Sequence, residues 1–259
     1  MKTKLLFAAL AAFSAAGAAE NPLWMRHCAI SPDGNTIAFC YKGDIYTVPS
    51  TGGNARQLTT NQSYDTNPIW SPDGQQIAFA SARQGSLDIY LISKEGGTPK
   101  RLTTHSGNEL PVTFTDNGHL LFRASVMPDA TDLSFPSSQF PQVYEVNTQG
   151  GRPVLYSSFP MEDISVAKDG TTLLYHDQKG YEDPWRKHHT SSITRDIWLS
   201  KEDVNHQRTY QKLTSFNGED RNPVWSGDNQ SFYYLSEKEG SFNVFKRNLD
   251  GSNEVQLTH

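Results

Sequence analysis

The chain has 259 residues, of which 36% are hydrophobic and 11% aromatic, enough for one large all-β domain or two ordinary domains with a sizeable core. This composition excludes a disordered chain. The formal net charge is −5, from 23 basic and 28 acidic residues, and no run of Lys or Arg occurs. Neither nucleic acid nor an anionic membrane surface is therefore an expected partner.

The N-terminal segment has the pattern of a secretory signal peptide. Lys2 and Lys4 form a basic start, residues 5–13 an apolar core, and residues 16–19 a small-residue cleavage region. The apolar run is much shorter than the roughly 20 residues that span a bilayer. We therefore predict a signal peptide over residues 1–19, no membrane span after its removal, and a periplasmic or extracellular location.

A four-residue turn motif recurs along the chain. The sequence Ser-Pro-Asp-Gly at residues 31–34 returns at residues 71–74, and weaker versions occupy residues 115–118, 167–170 and 226–229. Serine accepts hydrogen bonds from the turn backbone, proline fixes φ near −65°, and glycine tolerates a positive φ, which together predict a type I turn closing a hairpin. The aspartates are therefore interpreted as turn residues rather than catalytic groups.

Around each turn the sequence predicts four short strands, which we call a to d. Apolar residues at adjacent as well as alternate positions of strands b and c indicate that both sheet faces are covered. Repeated units of four short strands, each unit roughly 40 residues or longer, are typical of a β-propeller. The predicted fold is an all-β propeller over residues 20–259, with five visible four-stranded antiparallel blades and strand a of each nearest the axis. The repeats cover about residues 28–67, 68–111, 112–163, 164–222 and 223–259.

Two further features of the repeats bear on function. The third and fourth repeats carry insertions between strands b and c, at residues 125–141 and 177–195. Trp70 and Trp225 stand beside the turn motif, and we interpret them as blade-to-blade packing residues rather than as ligand-stacking residues.

The repeats resemble the PD40 or WD40-like repeats of TolB-like periplasmic proteins and tricorn-type proteases. The resemblance rests on the motifs W-S-P-D-G, I-A-F, D-I-Y and L-T, which follow one another in this order. Residues 181–198 resemble the corresponding insertion in tricorn-type peptidases of the S41 family. The resemblance implies the non-catalytic N-terminal propeller of a longer secreted hydrolase, with further blades, a PDZ domain and a serine protease domain in the same polypeptide. Such a propeller is expected to have six blades, so the five visible blades are interpreted as part of a six-bladed ring.

Motifs for catalysis, metals and cofactors are missing from the sequence. It contains no G-x-S-x-G elbow, H-E-x-x-H helix, G-x-x-x-x-G-K loop or paired C-x-x-C. His188 and His189 are neighbours, so on an extended strand they point to opposite faces and make a poor pair of metal ligands. We therefore assign no catalytic residue, metal or cofactor to this chain.

The insertion of the fourth repeat concentrates cationic and aromatic side chains, a mixture suited to holding peptide carboxylates. The alternative is a long loop that Trp185 pins to the propeller face, with its charges solvated. The predicted substrate-binding residues are Trp185, Arg186, Lys187, His188, His189 and Arg195.

Cys28 and Cys40 lie at equal distances from Gly34 in the first hairpin. A regular hairpin places them opposite one another, within reach of a disulfide that secretion would permit. A one-residue bulge would instead turn the two side chains to different faces. The disulfide is therefore a possible pairing rather than a required one.

The predicted function is a propeller that docks or filters polypeptide substrate for a tricorn-like serine peptidase. Its expected partners are a peptide or protein substrate and the remaining domains of the same polypeptide. The alternatives are a TolB-like protein-binding scaffold and the propeller of a prolyl-oligopeptidase-type enzyme. The coding sequence beyond His259 separates them: a PDZ and S41 domain supports the first, a stop codon the second and a G-x-S-x-G elbow the third.

Overall fold

The structure, a computed structural model, describes residues 24–124, 141–180, 191–205 and 207–259. Within these ranges the chain forms twenty β-strands, and no helix there is long and apolar enough to cross a membrane. The strands form five antiparallel sheets of four, arranged as the blades of a propeller. The predicted all-β fold with five four-stranded blades is confirmed. The predicted signal peptide at residues 1–19 lies outside the described residues.

In every sheet the strands neighbour one another in chain order, so each blade is a meander. Blade 1 contains β1 (Arg26–Ile30), β2 (Thr36–Tyr41), β3 (Asp44–Pro49) and β4 (Arg56–Gln57). Blade 2 contains β5 (Asp65–Trp70), β6 (Gln76–Ser81), β7 (Asp88–Ser93) and β8 (Lys100–Arg101). Blade 3 contains β9 (Glu109–Phe114), β10 (His119–Ala124), β11 (Gln142–Asn147) and β12 (Val154–Ser157). Blade 4 contains β13 (Met161–Val166), β14 (Leu173–Asp177), β15 (Ile197–Glu202) and β16 (Arg208–Lys212). Blade 5 contains β17 (Asp220–Trp225), β18 (Ser231–Ser236), β19 (Asn243–Asn248) and β20 (Val255–Gln256).

The blades pack through their first strands and through apolar residues on both faces of strands b and c. The first strands of consecutive blades lie against one another, which places strand a of each blade innermost, as predicted. Four apolar clusters fill the spaces between consecutive blades. Ile77, Ala78 and Phe79 of β6 are all fully buried, so both faces of that strand are covered.

Two tryptophans tie consecutive blades together. Trp70 Nε1 donates to the carbonyl oxygen of Ala29 at 3.0 Å, and Trp225 Nε1 donates to that of Ser165 at 3.0 Å. Both indoles also pack against an interblade apolar cluster. The interpretation of Trp70 and Trp225 as packing residues is confirmed.

The Ser-Pro-Asp-Gly turn is held together by its own serine and aspartate. Ser31 Oγ donates to Asp33 Oδ1 at 2.5 Å and accepts from the Thr36 N–H at 2.9 Å, while the Asn35 N–H donates to Asp33 Oδ1 at 3.1 Å. These hydrogen bonds, above all the one from Ser31, hold the pKa of Asp33 below its usual value. Gly34 has a φ of 74°, which a side chain would disfavour. Asp33 is therefore a turn residue, as predicted.

Strand a begins earlier than predicted and is bulged near its middle. The second predicted repeat begins at Pro68, whereas β5 begins at Asp65. Asn67 has a φ of 52°, and two residues of β5 face one residue of β6 at this point. The same bulge, with φ between 47° and 54°, recurs at His27, Asp163 and Asn222.

The two cysteines are free thiols, so the disulfide considered for Cys28 and Cys40 is not formed. The bulge in β1 places Arg26, and not Cys28, opposite Cys40. Cys28 is exposed, whereas Cys40 is buried and its Sγ donates to the carbonyl oxygen of Asp65 at 3.1 Å. One extra residue in the first strand thus turns the two side chains to different faces.

A leucine directly follows the last strand of four blades, and in blades 1, 2 and 4 it packs on the blade that comes next. Leu58, Leu102 and Leu213 are 7%, 4% and 8% exposed. Leu257 holds the same place after blade 5 and is 48% exposed, since no blade follows it within the described residues. Contact with the next blade therefore accounts for most of the burial of these leucines.

Leu213→Ala is expected to lower the free energy of unfolding by about 2 kcal/mol, because it leaves a cavity between blades 4 and 5. The matched variant Leu257→Ala removes a half-exposed side chain and is expected to cost less than about 1 kcal/mol. Urea titrations of both variants and the parent chain measure the difference. Equal losses would show that the following blade does not hold these leucines.

Candidate functional site

In a four-stranded meander successive strands run in opposite directions. The connection from strand b to strand c and the link to the next blade therefore lie at the same end of the strands, and we call this end of the propeller the b–c rim. At blade 4 this rim contains a cleft of about 400 Å³. Its walls come from the two sides of the fourth-repeat insertion and from the link to blade 5. Residues lining the cleft include Lys179, Ser191, Thr194, Asp196, Lys212 and Phe216.

Of the predicted substrate-binding residues, Arg195 lies in the described part of the chain. Its side chain is 11% exposed, and its guanidinium forms an ion pair with Glu219 and lies 3.7 Å, through Nε, from Glu162 Oε2. Arg195 therefore braces blade 4 against the start of blade 5 and is not among the residues that line the cleft. The other predicted residues, which lie outside the described ranges, are Trp185, Arg186, Lys187, His188 and His189.

Two lysines converge on Asp196 in the cleft. Asp196 Oδ2 lies 2.8 Å from Lys212 Nζ and also pairs with Lys179 Nζ. The Asp196 N–H donates to Asp177 Oδ1 at 2.8 Å, and Lys179 Nζ donates to the carbonyl oxygen of Thr194 at 2.6 Å. Because the Lys212 side chain is 43% exposed, it presents a cation to the cleft. An acidic side chain or a terminal carboxylate is the chemistry that this cation would hold.

The sequence analysis missed Asp196, although a recurring signal was present. Asp44 and Asp88 open strand c in blades 1 and 2, at the place that Asp196 holds in blade 4. In each of these blades the next backbone N–H donates to a threonine that follows the last strand. These bonds run from Ile45 to Thr59, from Ile89 to Thr103 and from Ile197 to Thr214.

A partly buried charge network joins blades 3, 4 and 5 beside the cleft. Glu162 of β13 pairs with Arg123 of β10 and lies 3.7 Å from Arg195. Glu162 Oε2 lies 3.2 Å from His176 Nε2, and the Asn222 N–H donates to His176 Nδ1 at 3.2 Å. The His176 ring thus lies between the Glu162 carboxylate and the backbone of Asn222, and it links blade 4 to blade 5.

The electrostatics of this network keep the Glu162 carboxyl group ionised. Burial alone would raise the pKa of Glu162, but the hydrogen bond from His176 and the charges of Arg123 and Arg195 outweigh it and hold the pKa at about 2. A carboxylate with so low a pKa is a poor general base. In blade 2, Ala80 holds the position that His176 holds in blade 4, so this network is not part of the common repeat.

The bulged residues of strand a bring polar side chains to the inner edge of the propeller. Asn67 Nδ2 lies 3.3 Å from His27 Nδ1, which links blades 1 and 2. Asn222 Nδ2 donates to Asp163 Oδ2 at 2.5 Å, which links blades 4 and 5. A pocket of about 220 Å³ opens among these inner strands, with Arg123 in its lining. These side chains connect neighbouring blades and line the pocket with polar groups.

The described ranges hold no group of three His, Cys, Asp or Glu side chains placed to bind a metal ion. Ser191, which lines the cleft, is a turn residue: its Oγ accepts from the Ile193 N–H at 3.0 Å, and its carbonyl oxygen accepts from Thr194 Oγ1 at 2.9 Å. The cleft is therefore lined by polar and charged side chains.

The profile of the tricorn protease N-terminal beta propeller domain matches residues 22–259. The chain belongs to this family. Tricorn protease homolog 1 of Streptomyces coelicolor is 27% identical to this tricorn-type propeller over 222 residues, which cover 85% of this chain and 20% of that protein. A TolB homologue of Chlorobium luteolum is 32% identical over 77 residues, 30% of this chain and 17% of that protein. The propeller thus spans about a fifth of the length of the curated relatives that it matches.

Solved structures share the fold of this tricorn-type propeller. The crystal structure of the tricorn protease superposes with a TM-score of 0.71 at 22% identity, over 91% of this chain and 22% of that chain. A putative TolB from Agrobacterium tumefaciens superposes with a TM-score of 0.69 at 16% identity, over 90% of this chain and 80% of that chain. At these identities the likeness establishes the propeller architecture.

Proposed function

We propose that this tricorn-type propeller docks polypeptide substrate for a larger secreted serine peptidase, of which residues 20–259 form a non-catalytic domain. Membership of the tricorn N-terminal propeller family carries the proposal. In this proposal further blades, a PDZ domain and an S41 protease domain belong to the same polypeptide. A signal peptide over residues 1–19 directs the protein to the periplasm or the cell exterior.

The proposed contact for the substrate is the b–c rim of blade 4. The insertion that carries residues 185–189 leaves the described chain at Gly180 and returns at Ser191, which lines the cleft. Lys212 supplies a cation there, and Ser191 and Thr194 supply polar lining. Cationic groups at residues 186–189 would add to this charge and hold an acidic side chain or a C-terminal carboxylate.

Replacing Arg186, Lys187, His188 and His189 together by serine is expected to weaken peptide binding about tenfold, since two full charges are lost, a change worth about 1.4 kcal/mol. The probe is a fluorescein-labelled hexapeptide with a free C-terminal carboxylate, followed by fluorescence anisotropy at low and high salt. The parent chain should bind more weakly at high salt, and the variant should have lost most of that dependence, since only Lys212 remains as a cation of the proposed contact.

A matched control removes the same formal charge elsewhere. Lys42 and Lys201 are exposed, and replacing both by serine should leave the affinity unchanged. The melting temperature of the fourfold variant should stay close to that of the parent, because solvated charges contribute little to stability. Unchanged peptide binding in the folded variant would reject docking at this loop. A large fall in melting temperature would favour a loop packed on the propeller face.

A TolB-like protein-binding scaffold is the second candidate, supported by the likeness to the putative TolB over most of both chains. The propeller of a prolyl-oligopeptidase-type enzyme is the third. The coding sequence after His259 distinguishes them. A PDZ and S41 domain supports the docking function, a stop codon supports the scaffold, and a G-x-S-x-G elbow supports the third.

A further inference from the structure

The outermost strand of blade 4 differs from those of the other blades. β16 has five residues, whereas β4, β8 and β20 have two each and β12 has four. Four of its five residues are exposed. β16 is the last strand of its sheet, so within the described residues its outer edge pairs with no other strand. This leaves the longest open sheet edge among the outermost strands of the five blades.

The register of β16 on β15 fixes which main-chain groups are free. The Leu213 N–H donates to the carbonyl oxygen of Ile197 at 2.8 Å, and the ladder continues in the same register to the pair Glu202 and Arg208. In an antiparallel pair alternate residues exchange hydrogen bonds with the partner strand, and the residues between them direct their N–H and C=O groups outward. The outward residues of β16 are Arg208, Tyr210 and Lys212.

Charged side chains on an edge strand usually protect it from pairing. In β16 the two cationic side chains, Arg208 and Lys212, are bound by neighbouring side chains. Arg208 Nη2 lies 2.6 Å from Glu202 Oε2, and its guanidinium lies 4.6 Å from the centre of the Tyr156 ring. Lys212 Nζ lies 2.8 Å from Asp196 Oδ2. The edge between them stays accessible. Both Nη groups of Arg208 already contact protein oxygens, whereas Lys212 is 43% exposed and keeps N–H donors for a ligand.

An exposed aromatic pair lies beside the centre of this edge. Tyr210 is 42% exposed and Phe159 is 55% exposed, and their rings stack with centroids 5.6 Å apart. A side chain opposite Tyr210 in an added strand would contact this pair, as cross-strand neighbours do in a sheet. Aromatic and β-branched side chains gain most from such a position.

Pairing between two copies of β16 does not fit this pattern. An antiparallel pair centred on Tyr210 would place Arg208 of one copy opposite Lys212 of the other, and like charges directly opposite are destabilising. A strand with acidic residues at those two positions has the complementary charge. We propose that the outer edge of β16 binds an extended segment of a partner polypeptide by antiparallel strand addition, with an aromatic residue against Phe159 and Tyr210 and an acidic residue two positions to either side.

The test uses a palindromic probe, fluorescein-labelled Thr-Glu-Thr-Phe-Thr-Glu-Thr-amide, and the whole chain. In the proposed register the N–H of Phe points at the carbonyl oxygen of Tyr210, whereas the N–H groups of the two central threonines point to solvent. N-methylation of Phe should therefore weaken binding about tenfold or more, since it removes a hydrogen bond and blocks approach. N-methylation of either central threonine should leave the affinity within about twofold. Fluorescence anisotropy measures all of these affinities.

Two variants at one position separate the main chain from the side chain. Tyr210→Ala and Tyr210→Pro both remove the ring, but only proline also removes the outward N–H, a change that an edge strand tolerates. Tyr210→Pro should bind the probe about fivefold more weakly than Tyr210→Ala, the effect of one hydrogen bond. Because the ladder to β15 does not use the Tyr210 N–H, both variants should melt near the same temperature.

Several results would overturn the proposal. These are no binding of the probe by the parent chain, equal effects of N-methylation at Phe and threonine, or equal affinities of two folded Tyr210 variants. A dimer of the parent chain that Tyr210→Pro dissociates would assign the edge to self-association instead. If Tyr210→Pro does not fold, the N-methylated probes on the parent chain decide. The contrast between the N-methylated probes depends on main-chain groups of β16, so it also separates this edge from the proposed docking loop, whose contacts are side-chain charges.

Discussion

Replacing Glu162 with glutamine is expected to lower the free energy of unfolding at neutral pH by about 2 kcal/mol, somewhat less than the loss of one partner of a fully buried ion pair, because the pair is partly buried. The Glu162 side chain is 19% exposed and pairs with Arg123, while the Arg195 guanidinium lies 3.7 Å away. Glutamine can still accept from His176 Nε2 but leaves both guanidiniums with less negative charge around them. Urea titration of the variant and the parent measures the change.

The contribution of Glu162 to the free energy of unfolding should decrease as the pH falls. The pKa of Glu162 is about 2 in the folded chain, whereas a glutamate without these interactions, as in the unfolded chain, has a pKa of 4.5. The folded state therefore favours the ionised form. Its stabilisation is complete above about pH 4.5 and is lost as the pH falls toward about 2. The difference between parent and Glu162→Gln should therefore shrink over that range.

A matched control uses an ion pair on the surface. Glu95 lies 3.6 Å from Arg56, and their side chains are 74% and 51% exposed. Glu95→Gln removes the same charge and is expected to cost less than about 1 kcal/mol. If Glu162→Gln cost no more than Glu95→Gln, the interblade network would contribute nothing measurable to the fold.

The local features of the fold were predictable because they repeat. Every turn motif closes a hairpin by contacts within a few residues, such as Ser31 Oγ with Asp33 Oδ1, so its sequence is sufficient to identify it. The alternation of turns with short apolar runs then determines the number of blades. The role of Trp70 was also predictable, because a tryptophan that recurs beside the turn motif, as Trp225 does, is better explained by the packing of repeats than by a ligand.

The start of strand a and the charge network depend on features that a pattern of apolar residues does not show. Asn67 and Pro68 resemble a loop in sequence, yet they form a bulge inside β5 because asparagine tolerates a positive φ. Arg123 and Glu162 are 39 residues apart in sequence and meet only when blades 3 and 4 stack. In the sequence alone, which does not show how the blades stack, neither residue differs from an ordinary surface charge.

Glu109 shows the opposite electrostatic case, a carboxyl group that burial keeps protonated. It opens β9 and is fully buried. Thr103 Oγ1 donates to Glu109 Oε2 and accepts from the Ile89 N–H at 2.9 Å. Asp88, fully buried as well, adds negative charge that Arg101 counters from 2.9 Å. Burial, opposed by the Thr103 hydrogen bond, raises the pKa of Glu109 to about 7.

In the unfolded chain Glu109 ionises near pH 4.5, whereas in the folded chain it keeps its proton to about pH 7. Between these values the folded state binds the additional proton, so this contribution stabilises the fold at low pH and is lost as the pH rises. Glutamine preserves the shape and cannot ionise, so Glu109→Gln is expected to exceed the parent in stability by about 3 kcal/mol near pH 8 and to match it near pH 4.5.

Urea titrations across this pH range test the expectation, with Glu239→Gln at an exposed site as the control for loss of one charge. The control matters because removing a negative charge from a chain of net charge −5 also relieves general repulsion, which would stabilise both variants alike. Only the excess of Glu109→Gln over Glu239→Gln reports on the buried carboxyl group. If that excess does not grow from about pH 4.5 to about pH 8, Glu109 is ionised in the folded propeller and its contact with Thr103 is an ordinary charged hydrogen bond.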